Sequence, residues 1–308
     1  MNADAAASLL QQHFGHGATI CHQFNHGNPE NLSFSVDTAD EQLWVKVSAS
    51  REDDAVLLQW AAMSPLLTEN YWAPAVLRSI RVGSRAALVF ERLVGRAATA
   101  DDLRQRLPDV LGLLDRLHTD DAITAALTPA GPMANAGECF RATWIRRFRD
   151  DLQIINGRVP FVDERLLEWM HAETDTAEEL TEAAAFKAPT LAPIHGDLWP
   201  ENILVGPDRW WILDWDDLAF GDAVVDDAIV LFNAVSPTAV AWFDVRPPRN
   251  ADEATRFELA ARLQLLDAVI DNCADWMGTG MVAERESTRL LKESAHRGAL
   301  TDYRSRYG

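Results

Sequence analysis

The sequence predicts an α+β chain in two lobes, a small antiparallel β lobe at residues 1–92 and a larger, mainly helical lobe at 93–308. Three observations predict it. Alternating or apolar runs broken by polar turns gather in the N-terminal third. Helical patterns dominate afterwards, interrupted by one short β segment at 202–215. The chain has 308 residues, 48% of them hydrophobic, enough to fill two cores. A β-rich stretch followed by a helical one argues for two packed lobes with a cleft between them.

Residues 3–13 (A-D-A-A-A-S-L-L-Q-Q-H) read as a helix that Gly15 and Gly17 end. A-T-I-C-H-Q-F (18–24), L-S-F-S-V (32–36) and E-Q-L-W-V-K-V-S (41–48) read as three consecutive strands. N-H-G-N-P-E-N (25–31) and D-T-A-D (37–40) connect them. A helix follows at 51–63, with Asp53 and Asp54 placed to favour its N-terminal dipole. Two further strands are expected near 75–82 and 86–92. Helices are then expected at 101–118, 140–154, 163–185, 225–234 and 252–277.

Composition narrows the function classes. The formal net charge of −19 disfavours a nucleic-acid partner and suits cationic small molecules. The only lysines are Lys46, Lys187 and Lys292. Cys21, Cys139 and Cys273 lie far apart, so neither zinc spacing nor a disulfide framework is visible. The N-terminus lacks the basic and apolar regions of a signal peptide, and no run of about 18 apolar residues suggests a membrane span. The expectation is a cytoplasmic protein without membrane or nucleic-acid partners.

The chemistry concentrates in H-G-D-L-W-P-E-N (195–202) and I-L-D (212–214). Asp197 and Asn202 sit five apart, and Asp214 follows twelve after the Asn at the end of an apolar strand. Gly206, Pro207 and Asp208 make the turn between, so a hairpin brings Asn202 and Asp214 together. An amide oxygen beside a carboxylate is a hard-oxygen pair suited to Mg²⁺. Asp197, ahead of them on the loop, is placed to take a proton from an attacking hydroxyl. A base with oxygen ligands for a metal is the working set of phosphoryl transfer.

These motifs resemble the aminoglycoside phosphotransferase and choline kinase family, which is related to the protein kinases. The H-G-D-L-W form also resembles fructosamine kinases. The resemblance implies a protein-kinase-like fold, ATP (or GTP) as co-substrate, and Mg²⁺. It extends over about residues 20–235. Val45-Lys46-Val47 is similar to the strand whose lysine holds the α- and β-phosphates. Asp54 sits where the family has a helix acid paired with that lysine, with Glu52 as its rival. A-L-V-F-E-R-L-V-G (87–95) resembles the strand and hinge that meet adenine, here through the backbone of Glu91 and Leu93. Amides near Gly27 and Asn28 would cover the phosphates. L-G-L-L-D-R-L-H (111–118) and F-G-D-A-V-V-D-D-A (220–228) are similar to further family blocks. The chain departs from the protein-kinase pattern in two places. Its nucleotide loop has one Gly, and its metal Asp precedes Trp-Asp rather than Phe-Gly. No G-x-x-x-x-G-K-[ST] is present, which excludes a P-loop kinase.

Other polar residues have plainer readings. His195 reads as a structural hub of the catalytic loop, and Asp226 as a brace of that loop or a helix cap. His13, His16, His22 and His26 read as helix-end and strand residues rather than a metal site. Asp267, Asp271 and Asp275 recur every four residues on one helix face. That row reads as a solvated acidic face; the functional alternative is a cation-binding wall of the acceptor site. The resulting expectation is a phosphotransferase acting on a hydroxyl of a small molecule, with amine-bearing acceptors (aminoglycoside, amino sugar, choline- or ketosamine-like) among the candidates. A stress-response type Ser/Thr protein kinase and a non-catalytic nucleotide-binding protein are the alternatives.

Overall fold

The computed structural model describes residues 1–23, 31–127, 135–187, 189, 192–278 and 282–308. The chain divides into two compact units. The first joins Met1–Thr99 to Asp197–Leu218, and the second joins Ala100–Gly196 to Ala219–Gly308. This differs from the division at residue 92 expected from the sequence. The first unit runs on to Thr99 and takes in the segment carrying Asp197, Asn202 and Asp214. Backbone pairing explains the difference. Ala98 N–H donates to Ile203 O at 2.7 Å, and Ile212 N–H donates to Trp72 O at 3.0 Å.

In chain order the first unit begins with α1 (Ala3–Phe14), β1 (Thr19–Gln23), β2 (Asn31–Asp37), β3 (Gln42–Ser48) and α2 (Arg51–Asn70). β4 (Val76–Val82), β5 (Arg85–Glu91) and the short β6 (Arg96–Ala97) follow. Five strands form an antiparallel sheet in the order β1-β2-β3-β5-β4. Asn2 caps α1 by accepting the Ala5 N–H. Ala6 and Leu10 of α1 pack with Phe34, Val36, Val45, Val47 and Val89 on one sheet face. Strand alternation then turns Lys46, between Val45 and Val47, to the opposite face. There Trp60 of α2 stacks near Phe90, ring centroids 5.0 Å apart.

Helix α2 starts with a full capping box: Ser50 Oγ accepts from Glu52 and Asp53, and Asp53 accepts from Ser50 N–H. The sequence suggests an end at residue 63, before Ser64-Pro65, yet the helix continues to Asn70. A Pro inside a helix costs about 3 kcal/mol. Full burial of Leu67 and the bond from Val76 N–H to Ser64 Oγ work against that cost. The residue after the helix cap, Trp72, has φ 57° and presents the carbonyl that receives Ile212.

In the second unit, α3 (Ala100–Leu117), α4 (Asp121–Ala126) and α5 (Ala136–Phe140) precede a π-helical turn at Arg141–Ile145 and α6 (Arg146–Ile155). α7 (Glu164–Leu180) and β7 (Ala192–Ile194) come before the first unit's hairpin, which is β8 (Ile203–Val205) and β9 (Trp210–Ile212). The chain ends with β10 (Ala219–Gly221), α8 (Ala223–Ala234), α9 (Ala239–Phe243), α10 (Ala251–Gly278) and α11 (Val282–Tyr307). β10 pairs with β7, and α8 is almost wholly buried. The sequence reading missed α11. Among its described side chains only His296 and Tyr303 are buried, while Leu290 and Leu291 are exposed, so no apolar stripe marks it. The two- and three-residue strands β6, β7 and β10 are too short to show a period. Among the described residues, no helix is long and apolar enough to cross a membrane.

Candidate active site

The hairpin β8–β9 joins β6 in a small three-stranded sheet of the first unit. Ile203 pairs with Ile212, and Gly206 N–H donates to Arg209 O across the turn. A Cβ at Gly206 would lie 2.2 Å from the Trp211 ring, so a larger residue in the turn must displace that ring. Leu213 N–H donates to Asn202 O at 2.8 Å, which sets Asp214 one residue beyond a backbone bond to Asn202. Asp214 itself is left-handed, φ 59° and ψ 56°. For a non-Gly residue that costs about 1–3 kcal/mol, and such strain collects at functional sites.

Asn202 fixes Asp197. Its Nδ2 donates to Asp197 O at 2.9 Å and to Asp197 Oδ2 at 2.8 Å. With the amide nitrogen committed to Asp197, the amide oxygen of Asn202 points elsewhere. The residues just before Asp197 are fixed in the second unit. Gly196, at φ 85°, donates its N–H to Asp226 Oδ1 at 2.8 Å. His195 N–H donates to Asp226 Oδ2 at 2.9 Å, and His118 Nε2 lies 3.0 Å from the same oxygen. Asp226 is fully buried; burial alone would raise its proton affinity, but His118, the neighbouring His195 and the Gly196 amide together hold its pKa below the ordinary value. The brace expected of Asp226 is therefore made, and buried His195 belongs to it.

Lys46 is buried on β3, with its ammonium 5.4 Å from the centre of the Trp60 ring. It donates to Asp214 Oδ1 and, at 2.7 Å, to Asp216 Oδ1. Burial pulls its pKa down, but the two carboxylates outweigh that and raise it above the ordinary lysine value. Asp216 is the partner that sequence reasoning missed. Burial pushes its pKa up to about 8, Lys46 opposes the rise and Asp214 adds to it. Asn31 Nδ2 also donates to Asp216 Oδ2. The available signal was the run D-W-D-D at 214–217, which puts a second carboxylate two residues after the first.

The expected Lys46–Asp54 pair is not made. Asp54 accepts from Ser48 Oγ, from Ala86 N–H at 2.7 Å and from Arg81 Nη1 at 3.2 Å. Its slight burial is outweighed by these donors, which hold its pKa below the ordinary Asp value. The physical reason is local: Ser48 shares the face of Lys46 two residues on and captures the short Asp side chain first. The rival Glu52 is exposed in the first turn of α2.

The remaining candidates separate. Glu91 ends β5, exposed, and Leu93 is half-buried in the segment after it. Gly27 and Asn28 lie outside the described residues, as does His26. Asp267 is not on a solvated face: it is buried and accepts from Arg147 Nη2 at 2.6 Å. Asp271 is exposed, and the side chain of Asp275 is outside the described ones. Among the described residues no three His, Cys, Asp or Glu side chains group as a metal cage.

The donor set suits magnesium, which binds through one or two carboxylates together with substrate phosphates. Asp214, the more exposed of the two carboxylates on Lys46, is the carboxylate of that set. The amide oxygen of Asn202 is a neutral hard donor.

Comparisons with known proteins agree with this geometry. The model of the phosphotransferase enzyme family, APH, matches residues 22–268. Among solved structures, the GDP and kanamycin complex of APH(2")-IIia is 14% identical, with 92% of this chain and 93% of that one covered at a TM-score of 0.59. Choline kinase from Cryptosporidium parvum Iowa II is 13% identical over 98% and 97% of the two chains, TM-score 0.54. Aminoglycoside phosphotransferase APH(4)-Ia is 16% identical over all of both, TM-score 0.54. At such identities these likenesses speak for the fold, a kinase-like one. A search of curated proteins finds no match. The chain belongs to the phosphotransferase enzyme family and is a phosphotransferase with an alcohol group as acceptor.

Proposed function

We propose that the enzyme transfers the γ-phosphoryl group of ATP (or GTP) to a hydroxyl of a small molecule, with Asp197 as the base. The observation that carries this reading is the Asn202–Asp197 contact, on the hairpin that also delivers Asp214 to Lys46. Asn202 aims the Asp197 carboxylate, which would accept the proton of the acceptor hydroxyl. Such a positioned base contributes about 10²–10⁴-fold. Lys46 would hold the α- and β-phosphates, and the backbone of Glu91 and Leu93 the adenine edge. Amides near Gly27 and Asn28 would cover the phosphates.

Asn202, through its amide oxygen, and Asp214 would hold Mg²⁺. When bound, the ion offsets phosphate charge and supports in-line geometry. The solved relatives suggest the substrate classes: spectinomycin phosphotransferase APH(9)-Ia is described with ADP and spectinomycin, and an APH(4)-Ia variant with AMP-PNP and hygromycin B. A net charge of −19 adds a preference for an amine-bearing acceptor. The test is a coupled ADP-release screen over aminoglycosides, amino sugars, choline-like amines, ketosamines and plain sugars. Acceptor-dependent ADP release with a small amine supports the reading. Phosphorylation of casein-like proteins alone, with none of the small molecules, would contradict it.

A further inference from the structure

In the first unit, the carboxylate that secures Lys46 is not on helix α2. Asp54 is the α2 acid nearest in register, and its oxygens are taken by Ser48, Ala86 and Arg81. What α2 presents to the lysine is the Trp60 ring. The carboxylates come instead from the segment after β9. Of the two, Asp214 is the more exposed, 40% against 11% for Asp216. Asp216 is also anchored from a third direction. Asn31 Nδ2 donates to it at 2.5 Å, and Asn31 is itself buried. Sheet register explains this meeting. Asn31 stands opposite Ser48 and Ser33 opposite Lys46 across β2 and β3, so all four side chains share one face. That face holds two acids by two different polar residues: Ser48 keeps Asp54, and Asn31 keeps Asp216.

We propose that Asp216, fixed by Asn31, is the positioning residue for Lys46, in the role that the α2 acid does not fill. This deepens the reading above and rests on it for the task of the lysine. Asp214 is the metal ligand in that reading, so its carboxylate is required elsewhere when nucleotide binds. Asp216 is the more buried of the two, and its anchor on β2 fixes it to the same sheet that carries Lys46. In sequence, Asn31 closes the N-H-G-N-P-E-N segment proposed to cover the phosphates. An acid placed after the metal Asp makes α2 free to carry a tryptophan at the lysine.

With only three lysines in the chain, the contact can be read without any nucleotide. The full-length protein is treated briefly with trace acetic anhydride, and acetylation of Lys46 is compared by peptide mass spectrometry with that of Lys187 and Lys292. Asp216→Asn and Asn31→Ala should each raise Lys46 labelling at least about threefold, while Asp54→Asn changes it by less than about twofold. The Asn31→Ala variant keeps every carboxylate and serves if Asp216→Asn folds poorly. Equal effects of Asp54→Asn and Asp216→Asn, or no effect of Asp216→Asn and Asn31→Ala, would overturn the assignment.

A second measurement separates positioning from direct metal contact. Mg-ATP affinity is measured by calorimetry for Asn31→Ala and Asp216→Asn, each in the wild-type and the Lys46→Met background. A loss of about tenfold that shrinks below twofold once Lys46 is gone supports action through the lysine. Equal losses in both backgrounds contradict it. If the wild-type protein binds no nucleotide, the functional reading fails, and the labelling result still decides whether Asp216 holds the lysine.

Discussion

Asn202 Nδ2 donates to Asp197 Oδ2 at 2.8 Å and to Asp197 O at 2.9 Å, so one amide fixes both the carboxylate and the backbone of the residue proposed as the base. Asn202→Ala removes both bonds together with a proposed metal donor. Turnover should fall on the order of a hundredfold or more, the scale of a misplaced general base. Asn202→Asp keeps an oxygen but sets a second carboxylate against Asp197. It should recover metal affinity better than turnover. Steady-state kinetics on both variants check this, and a turnover in Asn202→Ala within threefold of wild type would contradict the assigned role.

Nucleotide should stabilise the protein in a metal-dependent way. A ligand that binds only the folded state adds about 2.7 kcal/mol at a hundred times its Kd. ATP with Mg²⁺ should therefore raise Tm clearly more than ATP with a chelator. Asp214→Ala should lose the difference. Equal Tm shifts with and without Mg²⁺ in the wild-type protein would argue against Asn202 and Asp214 as ligands.

Asp226 should matter for stability, and in a defined pH window. It accepts two backbone N–H bonds and lies 3.0 Å from His118 while fully buried. Asp226→Ala leaves those donors unsatisfied, at about 1–3 kcal/mol for each buried group. Loss of several kcal/mol is expected in urea titrations. Its folded pKa is held below the unfolded value. Its stabilising contribution is therefore present above pH about 4 and fades as pH falls through the folded pKa. Asp226→Asn should flatten that part of the acid limb. An unchanged limb would show that Asp226 is not among the groups that drive acid unfolding.

The acidic row of α10 should split by burial. Asp267, buried against Arg147, should cost about 1–2 kcal/mol on conversion to Asn, since the Arg is partly exposed and screened. Exposed Asp271 should cost within about 0.5 kcal/mol. If an amine-bearing acceptor meets this helix, Asp271→Asn should raise the acceptor KM and leave the ATP KM alone. No change in either KM would remove Asp271 from the acceptor site.

Much of the fold was legible because its patterns are long. The alternating runs at 32–36 and 41–48 and the apolar stripes of α3, α8 and α10 announce their elements. The His195–Asp214 block was legible for a different reason: its polar residue types stand at fixed separations around one hairpin. What was not legible depended on partners distant in sequence. Nothing near Asp54 names Ala86, 32 residues away, and nothing near Asp216 names Asn31, 185 residues away. The polar helix α11 offered no stripe to read, because its buried residues are few. The continuation of α2 past Pro65 was hidden too, since burial of Leu67 lies outside local propensity.

The central claim is that Asp197 is the base in transfer to an acceptor hydroxyl. The measurement that tests it most directly is the kcat and the nucleotide affinity of Asp197→Asn, with an acceptor found in the ADP-release screen. The substitution keeps the size of the side chain and an oxygen for Asn202 to bond, but removes the proton acceptor. The account predicts that kcat falls at least about a hundredfold while Mg-ATP affinity stays within a fewfold of wild type. Near wild-type turnover in a folded Asp197→Asn protein would contradict it.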